Sequence, residues 1–131
     1  MLMKTVEKLA GNLLFINCAT DQTRIALFLD RKMVCEKIIE SRSELSDKLL
    51  LEIDQLIKGN NFQIDSVAIF PGPGSYTGLR IGITTANFLA WSLKVPIYEA
   101  DTNGKVVSDR RDFVLPIYLN QPHITKPKIK K

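Results

Sequence analysis

The chain has 131 residues, a formal net charge of +4, 45% hydrophobic residues and 24% charged ones. That length allows one compact domain and excludes two, and the balance is that of an ordinary globular protein rather than a disordered or fibrous one. Four lysines close the chain, at Lys126, Lys128, Lys130 and Lys131; taking their four charges from the net +4 leaves a formally neutral body. A uniformly basic nucleic-acid binder is thereby excluded, and only the Lys126–Lys131 tail is a candidate for an RNA or other phosphate contact, its plainer reading being a solvated terminus.

The N-terminal MLMKTVEKLAGN lacks the apolar core and cleavage site of a signal peptide. No apolar stretch approaches the roughly 20 residues that span a bilayer, so no membrane contact is expected and the expected location is the cytoplasm. Residues 13 to 18, LLFINC, form a short continuous apolar run, as in a central strand buried on both faces. TRIALFLD (23–30) and KMVCEKII (32–39) read as two more strands, and the short polar turn at Asp30 and Arg31 makes them an antiparallel hairpin.

Ser41-Arg42-Ser43-Glu44 fits a capping box, so a helix is expected to start at Ser41. Leu45, Leu49, Ile53, Leu56 and Ile57 recur at helical spacing and give it a core face, with Leu51 on the far side. Gly59-Asn60 is expected to end it, with the glycine in the left-handed conformation. SVAIF (66–70) is the next buried strand. A glycine-rich loop follows, then a helix over 78–94, and Val95 to Tyr98 opens a fifth strand parallel to the fourth. Residues 101–112 are polar and turn-rich and read as a linker. FVLPIYLN (113–120) is a last apolar piece before the lysines. The sum is an α/β fold with a five-stranded mixed sheet.

Cys18 and Cys35 both sit in apolar runs, where a free cysteine behaves as a small hydrophobe. Two separated thiols make neither a zinc site nor a redox pair, and the single histidine, His123, lies in the tail. No metal site, cofactor or catalytic set is expected.

The loop Gly72-Pro73-Gly74-Ser75, continuing to Thr77 and Gly78, lies between a strand and a helix. Backbone amides in such a place can cradle an anion. Thr77 stands where a dinucleotide fingerprint needs glycine, and the lysine of a Walker loop is missing, so the glycines equally suit a tight turn. In the helix, Gly78, Gly82, Ala86 and Ala90 recur every fourth residue and form a stripe of small side chains. A glycine within a helix costs up to about 1 kcal/mol relative to alanine, which tight packing must offset. Ile81, Phe88 and Trp91 lie on a different side, so the helix is either sandwiched within its own domain or shared with a partner.

The run GPGSYTGLRIGITTANFLAWSLKVPIY (72–98) resembles the hallmark of the TsaB (YeaZ) family. FINCAT (15–20) is similar to that family's first strand, with Asn17 where the family usually carries aspartate, and LPIYLN (115–120) before the lysines resembles its C-terminal ending. The resemblance implies an actin-like, RNase H-like (ASKHA) lobe over 1–100. The 101–112 linker would stand in place of a second lobe, ahead of a C-terminal segment over 113–131. One lobe does not make the family's nucleotide cleft. The resemblance further implies a non-catalytic scaffold or activator of TsaD, which modifies tRNA to N6-threonylcarbamoyladenosine. TsaE would be a further partner in a larger complex, and homodimers would use an overlapping surface. Docking through the two helices would use Leu51, Arg80, Ile81, Phe88 and Trp91. The alternative is a small nucleotide- or anion-binding enzyme built on the 72–78 loop.

Overall fold

The computed structural model describes residues 11–40 and 44–118. Five strands form one mixed sheet, in the order β3-β2-β1-β4-β5, from β1 (Asn12–Asn17), β2 (Thr23–Leu29), β3 (Lys32–Ile39), β4 (Ser66–Ile69) and β5 (Ile97–Glu99). β1 pairs antiparallel with β2 and parallel with β4, and β4 pairs parallel with β5. Two helices, α1 (Leu45–Gly59) and α2 (Tyr76–Leu93), complete the α/β lobe. The five-stranded mixed sheet and the hairpin at Asp30 and Arg31 are as expected; both turn residues have positive φ, 50° and 72°, as in the hairpin turns that match strand twist.

Strand alternation divides the core in two. Leu14, Ile16, Ile25, Leu27, Val67, Ile69 and Ile97 join the buried residues of both helices. On the opposite face Phe15 stands in register with Ala26 on one side and Ala68 on the other. Those two methyl groups leave room for the ring, and Phe28 meets it edge-on at 6.4 Å.

The capping expectation needs correcting. α1 starts at Leu45, and Glu44 precedes it without a side-chain cap hydrogen bond; residues 41–43 lie outside the described residues. Leu45, Leu49 and Ile53 are buried, one face as expected, while Leu50 and Leu51 are exposed. The helix does end at Gly59, but the left-handed residue beyond it is Asn61 (φ 52°), and Asn60 Nδ2 donates to Leu56 O at 2.9 Å.

α2 starts two residues before the expected Gly78, because the Ser75 side chain accepts the Gly78 N–H at 3.3 Å and so caps it. It closes at Lys94, whose φ of 59° ends the helical path.

Residues 101–112 are not a free tether. Asp101 Oδ1 accepts the amides of Asn103 and Lys105, and the chain turns back along the edge of β5. Val107 N donates to Glu99 O and Arg111 N to Ile97 O, each at 2.9 Å. Val106 is thereby buried against Phe15 and Phe28. Residues 113–118 then cross α2 and reach the glycine loop.

Candidate partner-docking site

The loop glycines are occupied by the protein's own backbone. Gly72 has a φ of 114°, and a Cβ there would strike the carbonyl of Ile117. A Cβ on Gly74 would strike Ala19, and one on Gly78 the carbonyl of Cys18. Pro73 and Thr77 are exposed. The Ser75 amide donates to Ala19 O at 2.8 Å, and that of Gly78 to Ser75 Oγ. Two of the amides that an anion cradle would need are spent internally.

The stripe likewise faces inward. Gly78, Gly82, Ala86 and Ala90 are all buried, and Gly82 lies over the Cys18 side chain. The close approach made possible by the small residues is that of the chain's own segment after β1. Burial lifts the Cys18 thiol to about 11, opposed by a hydrogen bond with Thr23, so the sulfur stays protonated and is a poor nucleophile. Asn17 is buried too; its Oδ1 accepts Ala19 N at 3.0 Å and its Nδ2 donates to Thr102 O. A carboxylate could not make that donation. Among the described residues no group of three or more His, Cys, Asp or Glu side chains could hold a metal ion.

The outer sides of α1 and α2 differ from this. They bound an open groove of about 850 Å³. Leu51 from α1 and Phe88 from α2 both line it, 54% and 52% exposed. Leu50, Phe62, Ile64 and Leu93 extend the apolar lining, and Asp47 and Asp54 mark its rim. A patch of this kind marks an interaction site more often than chance scatter of exposed leucines does. The sequence carries a signal for Leu50: at 100° per residue, the run Leu49-Leu50-Leu51 cannot all face one core. Phe62 and Ile64 follow the helix and carried no periodic signal.

The five residues expected at one partner surface separate into three places. Leu51 and Phe88 share the groove. Arg80 and Ile81 line a shallower hollow with Ser46, Thr77 and Thr84; the Arg80 guanidinium lies 5.5 Å from the centre of the Tyr76 ring, which packs on Tyr118 at 4.6 Å. Burial, with Tyr76 adding to it, raises the Tyr118 hydroxyl above its ordinary value, and Arg80 opposes this. Trp91 faces a third hollow, with Pro96 and Arg110.

A family model described as TsaD, tRNA N6-adenosine threonylcarbamoyltransferase, matches residues 37–103, which is half of the chain. The chain belongs to the TsaB–TsaD family. Among curated relatives it is similar to the tRNA threonylcarbamoyladenosine biosynthesis protein TsaB of Bacillus subtilis, 30% identical over 92 residues, which cover 68% of this chain and 40% of that one. It is also 30% identical over 105 residues to the tRNA N6-adenosine threonylcarbamoyltransferase of Phytoplasma australiense, covering 66% of this chain and 32% of that one. The fold is that of YeaZ from Pseudomonas aeruginosa, with a TM-score of 0.63 at 23% identity over 70% of this chain and 44% of the other. The TsaB resemblance carried by the 72–98 run therefore holds. The chain spans about two fifths of the Bacillus relative and about a third of the Phytoplasma one. No helix among the described residues is long and apolar enough to cross a membrane.

Proposed function

We propose that this chain is a non-catalytic partner subunit of TsaD in the synthesis of N6-threonylcarbamoyladenosine on tRNA, and that TsaD docks in the groove between α1 and α2. The observation that carries this reading is the groove. Leu50, Leu51, Phe88 and Leu93 are each about half exposed around one hollow, while the opposite sides of both helices are already buried on the sheet. A helix pair that keeps four large apolar side chains wet has a second face for another protein.

Family membership supports the pathway, and its relatives include both proteins named as the biosynthesis protein TsaB and proteins named as the transferase, so the subunit role rests on the groove. The chemistry available at the groove points the same way. Its titratable lining is Asp47 and Asp54, and Asp54 is held by Lys58 at 3.2 Å. Arg80 and Ile81 continue the surface toward the starts of the helices, and Trp91 lies beyond it. A second copy of this chain would compete for the same apolar face, so the homodimer is an alternative occupant rather than an addition. TsaE would join through the larger assembly.

Co-expression with the TsaD of the same organism tests the reading. A complex that elutes as one species on sizing is the expected result. Separate elution of two folded proteins at micromolar concentration contradicts it.

A further inference from the structure

The end of α2 carries a surface that the docking groove does not use. Trp91 is the most exposed large apolar residue described, at 78%. It opens on a hollow of about 560 Å³ shared with Lys94, Pro96, Arg110, Arg111 and Asp112. No described cation or aromatic ring lies over its indole: the cation and ring contacts of the structure involve Phe15, Phe28, Tyr76 and Tyr118.

The charges around the hollow are unevenly spent. Arg111 is engaged by Glu99 at 3.2 Å. Lys94 and Arg110 meet no acid among the described residues, and Asp112 is the one carboxylate in the lining. The helix end itself would repel an anion through its bare carbonyls, but those of Ala90 and Trp91 already accept the amides of Val95 and Lys94, at 3.0 and 3.3 Å. An uncovered indole beside two uncommitted cations and a partly committed third is suited to one ligand chemistry. Bases stack on an aromatic face without regard to sequence, and flanking cations track the phosphates. A protein partner would be drawn by apolar area, which this hollow offers chiefly as one ring.

We propose that the Trp91 hollow binds an unpaired nucleic-acid strand, one base stacking on Trp91 while Lys94 and Arg110 contact the flanking phosphates. This site is separate from the groove and stands or falls without it.

Trp91 is the only tryptophan in the chain, so its own fluorescence reports on stacking. The full chain is titrated with a 12-nucleotide oligouridine, with the same strand in a duplex as the control. The measurement is repeated with Lys126, Lys128, Lys130 and Lys131 all changed to Gln, to remove the tail's contribution. The single strand is expected to quench the indole and the duplex to do so several-fold less. In the tail-changed chain, with binding followed by the anisotropy of a fluorescein-labelled oligouridine because these variants lack the indole, Trp91→Ala is expected to weaken binding about 10-fold and Trp91→Phe about 3-fold or less. Arg110→Ala is expected to lower the slope of affinity against salt by about 0.7, the value for one phosphate on a single strand. Trp91 is exposed, so its replacement leaves the fold intact, and Arg110→Ala provides a second variant that does not touch the ring. Binding that vanishes with the tail lysines, binding without quenching, or a Trp91→Ala change that weakens TsaD and leaves the oligonucleotide untouched each overturns the proposal.

Discussion

Asn87 and Val114 are joined through both ends of one side-chain amide: Asn87 Nδ2 donates to Val114 O and Asn87 Oδ1 accepts Val114 N, each at 2.9 Å. The pair imitates one rung of a sheet and fixes the final described segment across α2. Val114 is buried beneath it. Further on, Ile117 N donates to Pro71 O at 2.7 Å and Tyr118 packs on Tyr76. The segment therefore closes over the start of the glycine loop, which is why Gly72 has no room for a side chain.

Asn87→Ala leaves both backbone groups of Val114 without this partner. A loss of about 1–3 kcal/mol is expected, the range for stranding buried polar groups. Denaturant unfolding measures the loss, and hydrogen exchange at the Val114 amide should rise with it. An unchanged midpoint together with a still-protected amide would show that the clasp contributes nothing.

Gly78 and Gly82 face the same neighbour with different tolerance. A methyl group at Gly78 meets the carbonyl of Cys18, which is backbone; at Gly82 it meets the Cys18 side chain. Alanine offers up to about 1 kcal/mol of helix propensity in return, against about 1–3 kcal/mol or more for overpacking. Gly78→Ala is expected to be clearly destabilising and Gly82→Ala distinctly milder. Thermal unfolding of the two variants checks the order; the reverse order contradicts the packing described.

Cys18 gives a pH signature. Its thiol is raised from an ordinary 9.0 to about 11 by burial, so the folded state holds that proton more tightly than the unfolded chain. The contribution is complete below pH 9 and is lost as the pH rises through about 11; two pH units correspond to roughly 2–3 kcal/mol. Stability measured from pH 8 to 11 should fall more steeply in the native chain than in Cys18→Ala, whatever that variant's own baseline. Burial raises the Cys35 thiol as well, against a backbone hydrogen bond from Leu27. Being only partly buried, Cys35 should alkylate well before Cys18 at pH 8.

Much of the fold was legible because apolar period and turn chemistry agree. The hairpin, the buried strands and the core face of α1 follow from alternation and from the Leu45-Leu49-Ile53 spacing. The start of α1 is less legible: a capping box is a local pattern, residues 41–43 lie outside the described residues, and the helix is seen to begin at Leu45, after a Glu44 that makes no side-chain cap hydrogen bond. The 101–112 segment looked like a linker because its composition is polar. Its order comes from long-range partners, Glu99 and Ile97, which no local window contains. The spacing of Gly78, Gly82, Ala86 and Ala90 shows a stripe of small side chains on α2 but not what packs on it. Which backbone approaches depends on the Cys18 segment lying beneath it, a tertiary fact. For the same reason Trp91 could not be separated from Phe88: they lie three residues apart on one helix, and the hollows on either side are completed by distant segments, Phe62 and Ile64 in one case and Arg110 and Arg111 in the other.

The central claim is that the α1–α2 groove receives TsaD. Phe88→Glu and Leu51→Glu place a charge where the groove is most apolar, and both side chains are half exposed, so the fold should survive. Val34, exposed on β3 and away from the groove, provides the control in Val34→Glu. Titration calorimetry of each variant with TsaD is the most direct measurement. Each groove variant should weaken binding by at least about 30-fold, equivalent to roughly 2 kcal/mol for a central apolar contact, with the control unchanged. Native-like affinity in both groove variants, with their folds intact, would contradict the account.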